Sequence, residues 1–423
     1  MSPVPRTSPE PASAIAPEVA CLAASPEVRS AIEWFSDQES EFARWQLELA
    51  RIPAPPFGES ARSDWLGERF HALGLLKVHK DSIGNVFGSN PGDSPEIISV
   101  SAHLDTVFPA NTPLNIRQQG CKLYGPGISD NASGVTALLA IAAAFENFNL
   151  PHSASLLFIG NVGEEGEGDL RGMRHIFSDP KWKDSIQASV VLDGAGTDTI
   201  VAEALGSRRF EVTVRGPGGH SWSDFGTPNP IFVLGRGIHL FSQTRVSSSP
   251  KTTFNVGVIR GGTSVNSIPE SASMRVDLRS SSASEIERLE FELRRALEQA
   301  LQEEETRTAP SRNSNRRPEL TSEMVVIGDR PGGELDSGAR ILQIARAVDA
   351  HLGNDAHVQR ASTDANIPIS LGREAIAIGS GGSGGGAHTL QEWFDTTGRE
   401  LALERILLIV LRLAAAAAAE YRE

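Results

Sequence analysis

The chain is poor in cysteine, tyrosine and methionine, has a deficit of positive charge and lacks any long apolar run. Its two cysteines, Cys21 and Cys121, stand in unrelated contexts, so no disulfide framework is implied and a reducing, cytoplasmic location is expected. With 39 Lys and Arg against 53 Asp and Glu the net charge is −14, which argues against nucleic acid or an anionic membrane as partner. The same balance is compatible with carboxylates that hold cations. The longest apolar stretch, residues 406–419, is interrupted by Arg412 and ends in alanines, short of the roughly 18 residues a membrane span needs. No continuous apolar segment follows a basic start, so no cleaved signal peptide is expected. Residues 1–24, rich in Pro, Ala and Ser, read as a flexible N-terminal arm.

What is present is a series of short apolar runs, each ending in a residue with metal or acid–base chemistry. The 423 residues are too many for one core and suggest two domains. Residues 97–103 (IISVSAH) read as a buried strand ending in His103, and Asp105 follows two positions later. On a strand, positions two apart face the same side, so one can carry a metal while the other accepts the free ring N–H. Asp130 precedes Asn131 and an apolar run with helical spacing, which places it at a helix start. Residues 154–162 (ASLLFIGNV) lead to Gly163-Glu164-Glu165-Gly166, residues 190–193 (VVLD) end in Asp193, and residues 375–379 (AIAIG) run through a glycine loop to His388. Open α/β sheets bind ligands at the carboxyl ends of their strands, and four strands here deliver His, Glu-Glu, Asp and His to that edge. The glycine loop could also be a flexible linker; a phosphate cradle lacks the lysine that would follow it.

Residues 207–328 differ. Phe210, Val212 and Val214 alternate, as do Phe254, Val256 and Val258, and Met274, Val276 and Leu278, a period of two for strands with one wet face. Helical patterns lie between, over 230–243 and 284–305, and a last strand is expected over 320–327. The expected architecture is therefore an α/β catalytic domain with a mostly parallel central sheet (25–206 and 329–423) carrying an inserted α+β domain (207–328).

His103, Asp130, Glu165, Asp193 and His388 offer only nitrogen and oxygen ligands. Two histidines and three carboxylates suit a pair of divalent ions with one carboxylate bridging, zinc most naturally. Two ions about 3.5–4 Å apart can hold a water as hydroxide and polarise a carbonyl together, leaving Glu164 as general base. An acidic pair alone is usually solvated surface; its place at a strand end among glycines sets this one apart.

In order along the chain, His103-Leu-Asp105, Gly125-Pro-Gly127-Ile-Ser-Asp130-Asn-Ala-Ser-Gly134, Gly163-Glu-Glu-Gly166, Asp193, Gly218-Gly-His220-Ser221, Asn266-Ser-Ile-Pro269, Asp277-Leu-Arg279 and His388-Thr-Leu-Gln-Glu392 resemble the motifs of a known family. It is the co-catalytic zinc metallopeptidase family of peptidase T, carboxypeptidase G and succinyl-diaminopimelate desuccinylase, over residues 40–415. The resemblance implies that Asp130 bridges two zinc ions, for which manganese or cobalt could substitute. It implies that His103 and Asp193 hold one ion, that Glu165 and His388 hold the other, and that Asp105 and Glu392 support them. It also implies a cis Asp130–Asn131 peptide. The inserted domain would be a ferredoxin-like lid through which the chain forms a homodimer, with His220 a transition-state donor, Arg279 a clamp on a substrate carboxylate and Asn266 a hydrogen-bond partner of substrate. Alone, these three read as a loop cap, a surface ion pair and a turn residue. Asp193, where deacylase-type members usually have Glu, and Ile52-Pro-Ala-Pro-Pro-Phe-Gly-Glu59 look like the peptidase T branch. The expected activity is aminopeptidase-like hydrolysis of di- and tripeptides. The rivals are an N-acyl-amino-acid deacylase or carboxypeptidase on the same scaffold, and a metal-dependent peptide binder without catalysis.

Overall fold

A computed structural model describes residues 12–307 and 319–415. The chain divides into two compact units, one made of the residues up to Ala204 together with those from Glu334, the other of Leu205–Gly333. The second unit reaches a few residues beyond the expected 207–328 at each end.

The first unit is built on a mixed sheet. Its middle strands, Ala154–Asn161, Ser94–His103, Ile186–Leu192 and Glu374–Ile378, lie side by side in that order and run parallel. The sheet is less uniformly parallel than expected: Val86–Asn90 joins one side antiparallel, and Thr199–Ala204 joins the other side antiparallel. Only the parallel middle carries the site, because parallel strands put all their carboxyl ends on one edge. These strands are buried on both faces, as their near-continuous Val, Ile, Leu and Phe content requires.

One face is covered by Ala132–Phe148, Arg340–Leu352 and Arg399–Ala414, and the other by Arg171–Ser178 and Asn366–Ser370. Local chemistry sets the helix ends. Ser25 caps Pro26–Asp37 by accepting from the Val28 N–H at 3.3 Å, with Pro26 at the first helical position where its missing N–H costs nothing. Asn131 caps Ala132–Phe148 by accepting from the Gly134 N–H at 3.1 Å. Gly74 and Gly353 end their helices in the left-handed conformation. A buried ion pair, Arg405 Nε to Asp349 Oδ1 at 2.6 Å, ties the two long helices of one face together.

The expected flexible arm is corrected over Ala12–Ala24, which is a helix; the first eleven residues lie outside the described ones. Ile15 and Val19, four apart, are buried against the helices Arg340–Leu352 and Arg399–Ala414, and Glu18 pairs with Arg412. Composition misled because Pro, Ala and Ser dominate, and three apolar residues at helical spacing, Ile15, Val19 and Leu22, are too narrow a stripe to stand out. Tertiary docking supplies what propensity does not.

The second unit is an antiparallel sheet in the order Thr252–Gly261, Ser271–Ser280, Gly206–Arg215, Thr321–Arg330. Helices Pro230–Ser242 and Ala283–Arg307 cover one face. The chain order βαββαβ with this strand order is the ferredoxin-like arrangement. The alternation expected from sequence decides its two faces: Phe210, Val212, Val214, Met274, Val276 and Leu278 are buried, and the residues between them are not.

Because Ile15 is fully enclosed, Ile15→Ala should destabilise the first unit by about 2–5 kcal/mol, the range for an aliphatic side chain removed from a core. Urea unfolding of the variant checks this; an unchanged midpoint would mean the helix does not dock.

Candidate metal centre

The carboxyl edge of the sheet brings five of the expected residues together. His103 ends its strand with 1% exposure, and its Nε2 lies 3.1 Å from Asp130 Oδ1 and 3.7 Å from Asp193 Oδ1. On the other side of the same aspartate, His388 Nε2 lies 3.0 Å from Asp130 Oδ2 and 3.0 Å from Glu165 Oε1. Asp130 thus turns one oxygen to each histidine, and two ligand groups meet at it: His103 with Asp193, and Glu165 with His388. Asp130 Oδ1 is buried and accepts no hydrogen bond despite the nearby ring, which leaves it an orphaned acceptor. A buried oxygen of this kind, among imidazoles and carboxylates converging within 4.8 Å, fits divalent cations of the zinc, manganese and cobalt type.

The backbone around these ligands is held by further carboxylates. Asp105, fully buried, accepts the Glu164 N–H at 2.9 Å on one oxygen and the Glu165 N–H at 2.7 Å on the other. With both oxygens so engaged, it is the Asp105 carbonyl, 3.1 Å from His103 Nδ1, that lies nearest the ring, and the carboxylate stands at 3.6 Å. The expected carboxylate–imidazole pairing is therefore looser than the spacing suggested. Glu392 accepts from Gly127 N at 2.8 Å, Ser129 N at 2.7 Å and Asp130 N at 2.8 Å, holding the loop that carries Asp130. The Asp130–Asn131 peptide is cis. Asn131 donates to Leu192 O at 2.9 Å, coupling this loop to the strand that presents Asp193.

Electrostatics follow from burial and from these neighbours. Burial disfavours the His103 imidazolium, but Asp105, Asp130 and Asp193 outweigh it and hold the pKa well above the ordinary value. Hydrogen bonding to Asp130 and Glu165 raises His388 to about 10. Asp130 is lowered despite its burial, because both histidines face it. Burial pushes Glu165 up and takes Glu392 to about 7.

The second unit carries the other three expected residues, and two of them are together. His220 and Asn266 flank a short antiparallel ladder in which Gly219 pairs with Ile268 and His220 with Ser267, and Ser221 N donates to Asn266 O at 2.9 Å. His220 is exposed and its Nδ1 accepts the Trp222 N–H at 3.2 Å, leaving Nε2 to carry the proton. Arg279 stands apart on the open face of the sheet. Its Nε donates to Asp277 Oδ2 at 2.7 Å, and Arg209 occupies Asp277 Oδ1 at 3.1 Å.

Sequence reading missed two buried groups near the site. Arg62 is enclosed in its helix and donates to Ile52 O and Leu104 O, both at 2.9 Å, so it fixes the carbonyl between His103 and Asp105. Asp364, fully buried, accepts from Asn161 at 2.6 Å, and burial raises it to about 7. Arg62 sits in an expected helix as one charge among several, and Asp364 in a loop; only the contacts mark them. A groove of about 590 Å³ opens beside Asp130 and Asp193, walled by residues 194–198 and 382–387. Its lining side chains are Ala, Ser, Thr and Asp among glycines, without a cation.

Comparison with known proteins agrees with this picture. The model described as Peptidase family M28 matches residues 85–209, and the Peptidase dimerisation domain model of the M20 type matches residues 203–305. The aminopeptidase PepT from Bacillus cereus superposes with a TM-score of 0.70 at 19% identity, covering 89% of this chain and 99% of that one. The fold is that of the M20 metallopeptidases. Carboxypeptidase G2 of a Pseudomonas species is 23% identical over 231 residues, 52% of this chain and 55% of its own length. A probable succinyl-diaminopimelate desuccinylase of Staphylococcus aureus is 23% identical over 241 residues, 48% of this chain and 58% of its own. The chain spans about half the length of these curated relatives. The ordered motifs and the comparisons thus agree on peptidases of the M28 and M20 kind as the proteins this chain is similar to.

Because His388 keeps its proton to about pH 10 in the metal-free protein, a divalent ion that takes its lone pair must release that proton. Below that pKa, apparent zinc affinity should rise with pH, by up to about tenfold per unit for each proton displaced. Calorimetric titration in two buffers of different ionisation enthalpy counts the protons; none released at neutral pH would exclude His388 as a ligand.

Proposed function

We propose that the protein is a dizinc exopeptidase acting on short peptides with a free amino end. One observation carries the reading: Asp130 faces a histidine with each oxygen, and Glu164 lies directly beside the ligand Glu165 with its backbone pinned by Asp105. His103, Asp130 and Asp193 would hold one ion, and Asp130, Glu165 and His388 the other. When bound, such ions polarise a carbonyl and acidify a water.

The chain's own groups do the rest. Glu164 accepts a proton from the water whose oxygen adds to the peptide carbonyl carbon, and returns it to the amide nitrogen as the C–N bond breaks. Asp105 fixes where Glu164 stands. The His220 Nε2–H, left free to donate by the backbone bond at Nδ1, stabilises charge on the carbonyl oxygen, a donation often worth about 3–4 kcal/mol. In a homodimer formed through the second unit, His220 would serve the partner's site. Arg279 would grip the substrate carboxylate with its planar fork once freed from Asp277, and Asn266 would add a hydrogen bond. The cation-free groove beside Asp193 favours a peptide's ammonium end over a carboxylate. A soluble, cytoplasmic homodimer is part of the same proposal; among the described residues no helix is long and apolar enough to cross a membrane. The second reading, an N-acyl-amino-acid deacylase or carboxypeptidase, rests on the names of the curated relatives.

Di- and tripeptides tested against N-acylated amino acids, with zinc, manganese or cobalt returned to chelator-stripped protein, separate the two. Turnover confined to the acylated compounds would transfer the proposal to the deacylases. Glu164→Ala should keep its metal content and lose about 10²–10⁴ in kcat; a near-normal kcat would mean another base.

Mixing His220→Ala with Glu164→Ala protein under subunit exchange should restore activity, because one site in each heterodimer then holds both groups. Heterodimers that form and stay inactive would place His220 in its own chain's site.

A further inference from the structure

Glu164 owes its position to more than Asp105. Gly163, just before it, has φ +69, and a Cβ added there would lie 2.5 Å from Arg171 Cγ and 2.7 Å from Arg171 Nε, so the arginine stem lies directly on the backbone of this turn. Arg171 N also donates to Gly163 O at 3.2 Å. The guanidinium is fixed from three sides. Nη2 meets the buried Glu59 Oε2 at 2.7 Å, Nη1 donates to Ile83 O at 3.0 Å, and the group lies 4.9 Å from the centre of the Phe57 ring. Nearby, Asn85 accepts from Val162 N at 3.0 Å and donates to Gly172 O at 3.1 Å, tying the strand end to the same helix start. Phe57 and Glu59 belong to the proline-rich loop 52–59, which reaches the metal-bearing edge through no ligand of its own.

We propose that Arg171 is a positioning residue for Glu164, packing its stem on the Gly163–Glu165 turn with Glu59 and Phe57 as its anchors. The turn carries a proton-transfer group and a ligand on successive residues, and the carboxylate of Asp105 grips only their N–H groups. The stem fills the space where a Cβ on Gly163 would lie, so removing its anchors leaves room for this glycine to change φ, a change that glycine alone resists little. A lysine would keep the charge facing Glu59 and a stem of similar length, but lose the bond to Ile83 O and the planar guanidinium near the Phe57 ring, so nothing would fix where that stem lies.

The inference rests on Glu164 being the general base, so the experiment tests the brace with and without turnover. In Arg171→Lys protein, hydrogen exchange of the 163–165 amides should quicken while the thermal midpoint stays near that of the wild type, and kcat should fall roughly 10- to 100-fold with little change in KM. The Glu59→Gln/Arg171→Met double variant, which leaves no buried charge alone, should behave the same way. In a Glu164→Gln background Arg171→Lys should cost nothing further, because both changes act through one group. Wild-type exchange and kcat in Arg171→Lys, or an equal loss in the Glu164→Gln background, would overturn the brace. A wild type inert on every peptide would instead overturn the functional reading, and exchange of the 163–165 amides then decides the brace by itself.

Discussion

Asp130 shares its two oxygens between two histidines, and most of the first unit is arranged to make that possible. The carboxylate sits between strand ends, where its negative charge would be costly to bury without counter-charge. Three N–H groups of its loop, Asp130 N among them, converge on Glu392, while Asn131 anchors the next residue to the strand of Asp193 and caps the following helix. That helix is buried along almost all of its first fourteen residues, so the loop cannot move without disturbing the core. Rigidity at the Asp130 oxygens comes from apolar packing behind them, a link from core to chemistry.

The same charges set the electrostatics of the site. The imidazoles of His103 and His388 and the carboxylates around Asp130 favour each other's charged forms, which is why the imidazole pKa values rise while that of Asp130 falls. Ions and protons therefore compete for one set of lone pairs.

Much of this was legible in the sequence, for a physical reason. Buried parallel strands have to be written as apolar runs, so the residues that break those runs at their carboxyl ends, His103, Glu164, Glu165 and Asp193, stand out against them. Period-two alternation marked the second unit equally well, since one face of its sheet is wet. The helix Ala12–Ala24 was hidden because its stability lies in docking rather than composition. Arg62, Arg171 and Asp364 were hidden because a charged residue in a helix or loop reads as solvated surface until its partners are known. Each has a partner 42 or more residues away, at Leu104, Glu59 and Asn161 respectively. Supporting shells are written in long-range contacts, and no local pattern encodes them.

The glycine loop before His388 shows how backbone chemistry can replace side chains. Read alone, Gly379 and the residues to Gly386 could be a linker; in the fold they are a paired strap. Asp193 N donates to Ile378 O at 3.0 Å, Ser380 N to Gly194 O at 2.9 Å, and Gly196 and Gly381 exchange bonds of 3.0 and 3.2 Å. The backbones come so near that a Cβ on Gly379 would lie 2.4 Å from Gly196 O, and one on Gly384 would lie 2.5 Å from Ser129 Oγ. These glycines are needed for close approach, and they join the loop that follows Asp193 to the loop that leads to His388. His388 itself is more than half exposed and sits at φ +65, a conformation a bulky residue holds only when its surroundings impose it. Its ring is held by Asp130 and Glu165, each at 3.0 Å, and the turn that carries it is closed by Thr389, whose N–H and hydroxyl both donate to Gly386 O, at 3.0 and 2.7 Å.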